Sequence, residues 1–206
     1  GQLIERRKSP PSLQIGRNLL EGNGKVICQA RGNLQLIENV LSVEPLLEIR
    51  GDDGQLAPIV FDGDVAVRGS LDDGRSVEIT GCLAVGGALE AVQLNAGGSV
   101  MVQGGLIGKQ KGRYTIGGDL KCRFISGGII VVGQDVQVQS DITESSITCG
   151  GRLVVDHGVI FGGIIAAIRG LACVTLGNTN GTPTLIEAGN GIAVRSFLVA
   201  ARTQIE

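Results

Sequence analysis

Few residues of this chain have a type and spacing that could do chemistry. The one histidine, His157, follows Asp156, and an acid beside a histidine is the minimum that general-base catalysis needs. The pair falls in the corner after Leu153-Val154-Val155, and no serine nucleophile elbow occurs in the chain, so it reads as a solvated turn. Asp72-Asp73-Gly74 and Gly51-Asp52-Asp53-Gly54 look like pieces of calcium loops, but each lacks the spaced acidic ladder and closing Glu and reads as a turn. Five cysteines (Cys28, Cys82, Cys122, Cys149 and Cys173) form no CxxC pair and no zinc spacing. They are expected to be small apolar side chains in a reducing cytosol, with Cys28, Cys122 and Cys149 at strand positions. Glycine pairs at 86–87, 97–98, 104–105, 117–118, 127–128, 150–151 and 162–163 precede no helix and lack the Gly-Lys-Ser/Thr ending of a phosphate loop. The expectation is a protein without catalytic residues, cofactor or metal.

The elements that position these residues are set by a repeat. Short apolar strands follow a glycine at Gly63-Asp64-Val65-Ala66-Val67, Gly81-Cys82-Leu83-Ala84-Val85 and Gly98-Ser99-Val100-Met101-Val102. They recur at Gly118-Asp119-Leu120-Lys121-Cys122, Gln134-Asp135-Val136-Gln137-Val138, Gly151-Arg152-Leu153-Val154-Val155 and Gly170-Leu171-Ala172-Cys173-Val174. The anchors step by 18, 17, 20, 16, 17 and 19 residues, and a period of this length marks a winding chain. A second strand ends each repeat, as in Val77-Glu78-Ile79, Tyr114-Thr115-Ile116 and Ile147-Thr148-Cys149. No helical periodicity appears. The fold expected is all-β, a right-handed parallel β-helix (β-solenoid) of about seven coils, because parallel crossovers are right-handed. Glycine at the corners is expected to supply positive φ.

Composition agrees. The chain of 206 residues holds 34 glycines and only five aromatics, against about 7% glycine in an average protein, and a narrow aliphatic bore suits that balance. Net charge is −2 with both signs interspersed, so no footprint for nucleic acid appears. The longest apolar run, residues 159–168 with two glycines, is well short of the ~20 residues of a membrane span. Residues 1–14, with Arg6, Arg7, Lys8 and Pro10-Pro11, read as an extended lead-in. Residues 15–60 read as a β-rich cap of one or two irregular coils, 61–190 as the solenoid, and 191–206 as a continuing strand with a truncated end.

Two surfaces could meet other proteins. Lys109, Lys111 and Arg113 lie in the longest excursion between strands, expected to protrude as a basic loop. Strict alternation along the second strand turns Glu78, Gln93, Thr115, Ile130, Thr148, Ile165 and Glu187 outward. Ile130 and Ile165, with Val132 and Ala167 beside them, would then form an apolar patch for a homodimer or for another part of the chain.

The run Gly117-Gly118-Asp119-Leu120-Lys121-Cys122-Arg123-Phe124-Ile125 resembles the GGD-V-x-A-[KR]-F-I signature of the flagellar assembly protein A (FapA) family. Phe61-Asp62-Gly63-Asp64-Val65 and the segment from Gly177 through Asn180-Gly181-Thr182-Pro183-Thr184 to Gly189 resemble it too, and the likeness covers roughly residues 15–190. Ser126-Gly127-Gly128 replaces the usual Glu-Asn-Ala, and Gln134 a usual glycine, so no binding role carries over from that stretch. The resemblance implies a bacterial cytosolic scaffold with a part in flagellar assembly or placement. More distantly, the chain is similar to the β-helix of the septum-site inhibitor MinC, which implies a division or polarity regulator as the alternative. A polymer-forming cytoskeletal β-helix and a β-helix transferase are further alternatives.

Overall fold

The computed structural model describes residues 14–22, 25–29, 32–51 and 57–189. The lead-in before Gln14, Asp52-Asp53 and the continuing strand 191–206 lie outside these residues. The described elements are all β, and the chain divides into two compact units, residues 1–46 and 47–206.

In the first unit the expected irregular coils are replaced by antiparallel ladders. Leu19–Gly22 pairs with Lys25–Cys28, and Gly32–Ile37 pairs back onto Val40 to Pro45. The second hairpin turns on Glu38 and Asn39, both left-handed at φ 47° and 68°. Two such residues make the turn whose twist matches that of the flanking strands.

The second unit is the solenoid, and each full coil carries three short strands rather than the two legible in the sequence. The first column stacks Asp64–Arg68, Leu83–Val85, Val100–Val102, Leu120–Cys122, Val136–Val138, Arg152–Val155 and Gly170–Ala172, paired in parallel. Val65, Leu83, Val100, Leu120, Val136 and Leu153 form one inward line, each beside the next, and each is at most 1% exposed. Leu153 pairs with Leu171, so the last step of this column is one residue shorter than the glycine anchors suggest.

A second column contains only two-residue strands, Leu89–Glu90, Leu106–Ile107 and Ile125–Ser126, before it merges with the third. The third runs through Ile59–Phe61, Ser76–Ile79, Gln93–Ala96, Arg113–Ile116 and Ile129–Val132. In the later coils Ile142–Cys149 and Val159–Ala167 span both columns as single strands. Leu71, Leu89, Leu106, Ile125, Ile142 and Ile160 are wholly closed to solvent or within 1% of it, and they join the inward residues of the other columns in one core. At ~25 cal/mol per Å² of apolar area, this aliphatic core is the main stabilising term, and no coil has it without its neighbours.

The corner glycines serve a different need from the one the sequence suggests. Of the seven Gly-Gly pairs, only 127 and the pair 162–163 include residues with positive φ. Elsewhere the need is close approach: a Cβ at Gly117 would run into the carbonyl of Gly97, one at Gly133 into that of Gly117, and one at Gly150 into that of Gly133. These glycines form a column in which each Cα sits against the carbonyl of the coil before. A side chain there would open the backbone bonds beside it, Gly117 N–H to Ala96 O at 2.8 Å and Gly133 N–H to Ile116 O at 2.8 Å.

Gly133→Ala should therefore lower unfolding free energy by about 3 kcal/mol, the size of other core overpacking. Gly74→Ala should cost only about 1–2 kcal/mol, since Gly74 has φ 86° but open space around its Cα. Urea denaturation checks the ranking; equal losses would refute the close-approach account.

Candidate protein-interaction faces

The residue after each first-column corner is polar in five of seven coils and, except for the buried Asp64, at least partly exposed. Four of these side chains reach across to the next coil. Asp64 Oδ1 accepts the Cys82 N–H at 2.8 Å, and Ser99 Oγ accepts the Asp119 N–H at 3.0 Å. Asp119 Oδ1 accepts the Asp135 N–H at 3.0 Å, and Asp135 Oδ1 accepts the Arg152 N–H at 2.7 Å. The aspartate of the Gly-Gly-Asp run is thus a staple between coils, occupied with backbone donors that the corner would otherwise leave unpaired. Ser70 and Asp141 do the same at the next corner, for Ala88 N–H at 3.0 Å and Val159 N–H at 2.9 Å.

The excursion from Gly108 to Arg113 is held down rather than protruding freely. Lys109 and Gln110 are left-handed, at φ 48° and 61°, and the Gln110 N–H bonds Gly127 O at 2.7 Å. Lys109 Nζ lies 2.8 Å from Glu90 Oε2 and 4.0 Å from Asp73. The hydrogen bond that Lys109 donates to Glu90 holds its ammonium above its ordinary range, with burial opposing it and the Glu90 charge adding to it. Lys111 and Arg113 are exposed, so the surface left for a partner is these two cations. Beneath them lies Tyr114, the only tyrosine, fully buried, with its hydroxyl 3.5 Å from Leu89 O. Gly112 and Gly128 make room for it: a Cβ on either would press on the phenol, at 2.6 Å and 3.1 Å.

The residues proposed for an apolar patch do not form one. Ile130, Val132, Ile165 and Ala167 are completely buried and belong to the core. Pairing places Ile130 beside Tyr114 and Ile147, and Ile165 beside Ile147, all on the inward line. The outward line runs Glu78, Asn95, Thr115, Val131, Thr148, Ala166 and Glu187. Four apolar residues in a row, Ile129 to Val132, erase the alternation that sets the face. The signal that would have found it is glycine spacing: the second residue after Gly112, Gly128 and Gly163 points inward in each case. Val131, Thr148 and Ala166 are only 7%, 2% and 1% exposed although they lie outside the core cluster, so they have little surface to give a second chain.

The remaining candidates are dispersed. His157 is exposed, and Asp156 accepts from Gln137 Nε2 at 3.0 Å. Cys122 and Cys149 are buried, and burial pushes both thiols up to about 12. Cys28 and Cys82 are exposed and Cys173 is half-buried; Cys28 does end a strand, Lys25–Cys28, as expected.

The family described as the Flagellar Assembly Protein A beta solenoid domain matches residues 18–206. The chain belongs to the FapA family. The FapA match takes in the solenoid and most of the hairpin unit, including the stapled corner at Gly117-Gly118-Asp119. No curated protein and no solved structure matched. Among the described residues no helix is long and apolar enough to cross a membrane.

Two outcomes follow. Asp119→Ala should cost about 1 kcal/mol by stranding the Asp135 N–H, while Asp119→Asn, which keeps an acceptor, should restore most of it; thermal unfolding measures both. Burial raises the Tyr114 phenol from 10.0 to about 12. Its contribution, at most roughly 3 kcal/mol, is intact below pH 10 and lost as pH climbs from 10 towards 12. A phenolate absorbance titration should show ionisation near 10 only in unfolding concentrations of urea; the same midpoint in native protein would refute it.

Proposed function

We propose that this chain is a non-enzymatic cytosolic scaffold acting in flagellar assembly or placement, and that it contacts partner proteins through the outer walls of its coils. The family match across residues 18–206 carries the reading. The geometry supports it: three strand columns in register give walls whose exposed residues keep fixed spacing, about 4.8 Å from coil to coil. A surface of that kind suits recognition by a broad contact.

The contact proposed is the corner carrying Lys111 and Arg113. Lys109 is engaged with Glu90 and Asp73 and braces this corner, while the two exposed cations present a pair of charges that fit an acidic protein surface. Arg113 starts a strand paired on both sides, so its backbone is fixed before any partner arrives, which lowers the ordering cost of binding.

Deleting the gene in a flagellated host should abolish or misplace flagella, and the full-length wild-type protein should restore swimming. A full-length variant with Lys111→Glu and Arg113→Glu should fold, accumulate and fail to restore it. Normal flagella and swimming in the deletion strain would overturn the flagellar role; full rescue by the charge-reversed variant would overturn only the proposed contact.

A further inference from the structure

The loop before the last described strand holds an exposed Asn180-Gly181 pair. Gly181 has φ 70°, and an added Cβ there would meet nothing within 4 Å. Its N–H reaches Asn178 O at 3.4 Å, the long end of a hydrogen bond, so the nitrogen is only weakly engaged. Asn178 in the same loop is tied at both ends: its Oδ1 accepts the Thr182 N–H at 3.0 Å and its Nδ2 donates to Thr182 Oγ1 at 2.9 Å. It is followed by Thr179, whose branched Cβ crowds the next nitrogen. Asn95 precedes Ala96 inside a paired strand, and Asn18 donates its amide to Val43 O at 2.8 Å.

We propose that Asn180-Gly181 is a self-modification site. The Gly181 backbone nitrogen, losing its proton, attacks the Asn180 side-chain carbonyl carbon. A C–N bond forms, the amide C–N bond breaks, and the NH2 group takes up a proton and leaves as ammonia. Water then opens the five-membered imide on either side, giving aspartate or isoaspartate, with no other reactant. Glycine suits the step because it lacks a Cβ that would obstruct the ring. Isoaspartate lengthens the backbone by one carbon and adds a charge inside the Asn178–Thr182 bracket. The strand that follows, Thr184–Ala188, pairs with Val159–Ala167 and is anchored by the Gly162 N–H on Thr184 Oγ1 at 2.8 Å. The modification therefore loosens the last described strand and nothing upstream of it.

The test is peptide mapping by mass spectrometry on folded full chain held at mildly alkaline pH, with isoaspartate detected by enzymatic methylation. The expected result is conversion at Asn180, none at Asn178, ammonia release, and faster amide exchange over residues 184–188 in the converted protein. Asn180→Gln should abolish the product, and Gly181→Ala should slow it severalfold. The other Asn-Gly pairs in the sequence are at 23–24 and 190–191; cleavage after Glu187 puts Asn180 and Asn190 in separate peptides, whereas cleavage at Arg169 and Arg195 leaves them in one. An Asn180 peptide that stays intact in folded protein while converting in denaturant would overturn the proposal. So would equal conversion at Asn178, or a rate indifferent to Gly181→Ala.

Discussion

Stacked coils must approach at their corners as closely as they do along hydrogen-bonded strands, about 4.8 Å apart. A strand meets that spacing with side chains directed in and out, but a corner has no such outlet, and any Cβ pointing along the axis strikes the coil beside it. The line from Gly97 through Gly117 and Gly133 to Gly150 answers that constraint. Beside these close-packed glycines, the residue that follows the corner supplies an acceptor. Asp64, Ser99, Asp119 and Asp135 each take a backbone N–H from the next coil, so the spacing that excludes side chains also brings donors within their reach. The aliphatic core then closes because the walls already stand in register.

Much of this was legible in the residues. The first column could be read directly, because an apolar-x-apolar triplet behind a glycine has only one face to bury, and Val65 through Leu153 do fall on one line. The second column escaped notice since its strands are two residues long, too short to show a period: Leu89, Leu106 and Ile125 look like isolated apolar residues in loops. The third was found but misfaced in two coils. Tyr114-Thr115-Ile116 and Ile147-Thr148-Cys149 carry a polar middle residue that fixes the face, whereas Ile129 to Val132 and Ile164 to Ala167 carry none. There, pairing with the neighbouring coils, a tertiary fact, decides what is inside.

The same distinction governs the candidate contacts. Charge was correctly located in the sequence at Lys109, Lys111 and Arg113, but its disposition depends on Glu90 and Asp73 from earlier coils, which linear distance conceals. Apolar exposure was misjudged because Ile130 and Ile165 sit in unbroken apolar runs whose inward face is set by pairing with neighbouring coils. The chemistry-bearing types turn out to be spread through the stack: two thiols lie in the bore, the histidine in a corner, and Asp64, Asp119, Asp135 and Asp141 bond backbone nitrogen. Belonging to the FapA family accords with a molecule whose information is carried on its walls.

The glycine corner also bears on how such a chain can change its length. Each coil recognises its neighbour through equivalent positions instead of through a unique sequence, and adjacent coils tolerate 16 to 20 residues between corners. A genetic duplication that starts at one corner glycine and stops at the equivalent one inserts a whole turn whose two new joints match the old. An array of this kind lengthens or shortens by whole turns without disturbing the contacts of the turns that remain.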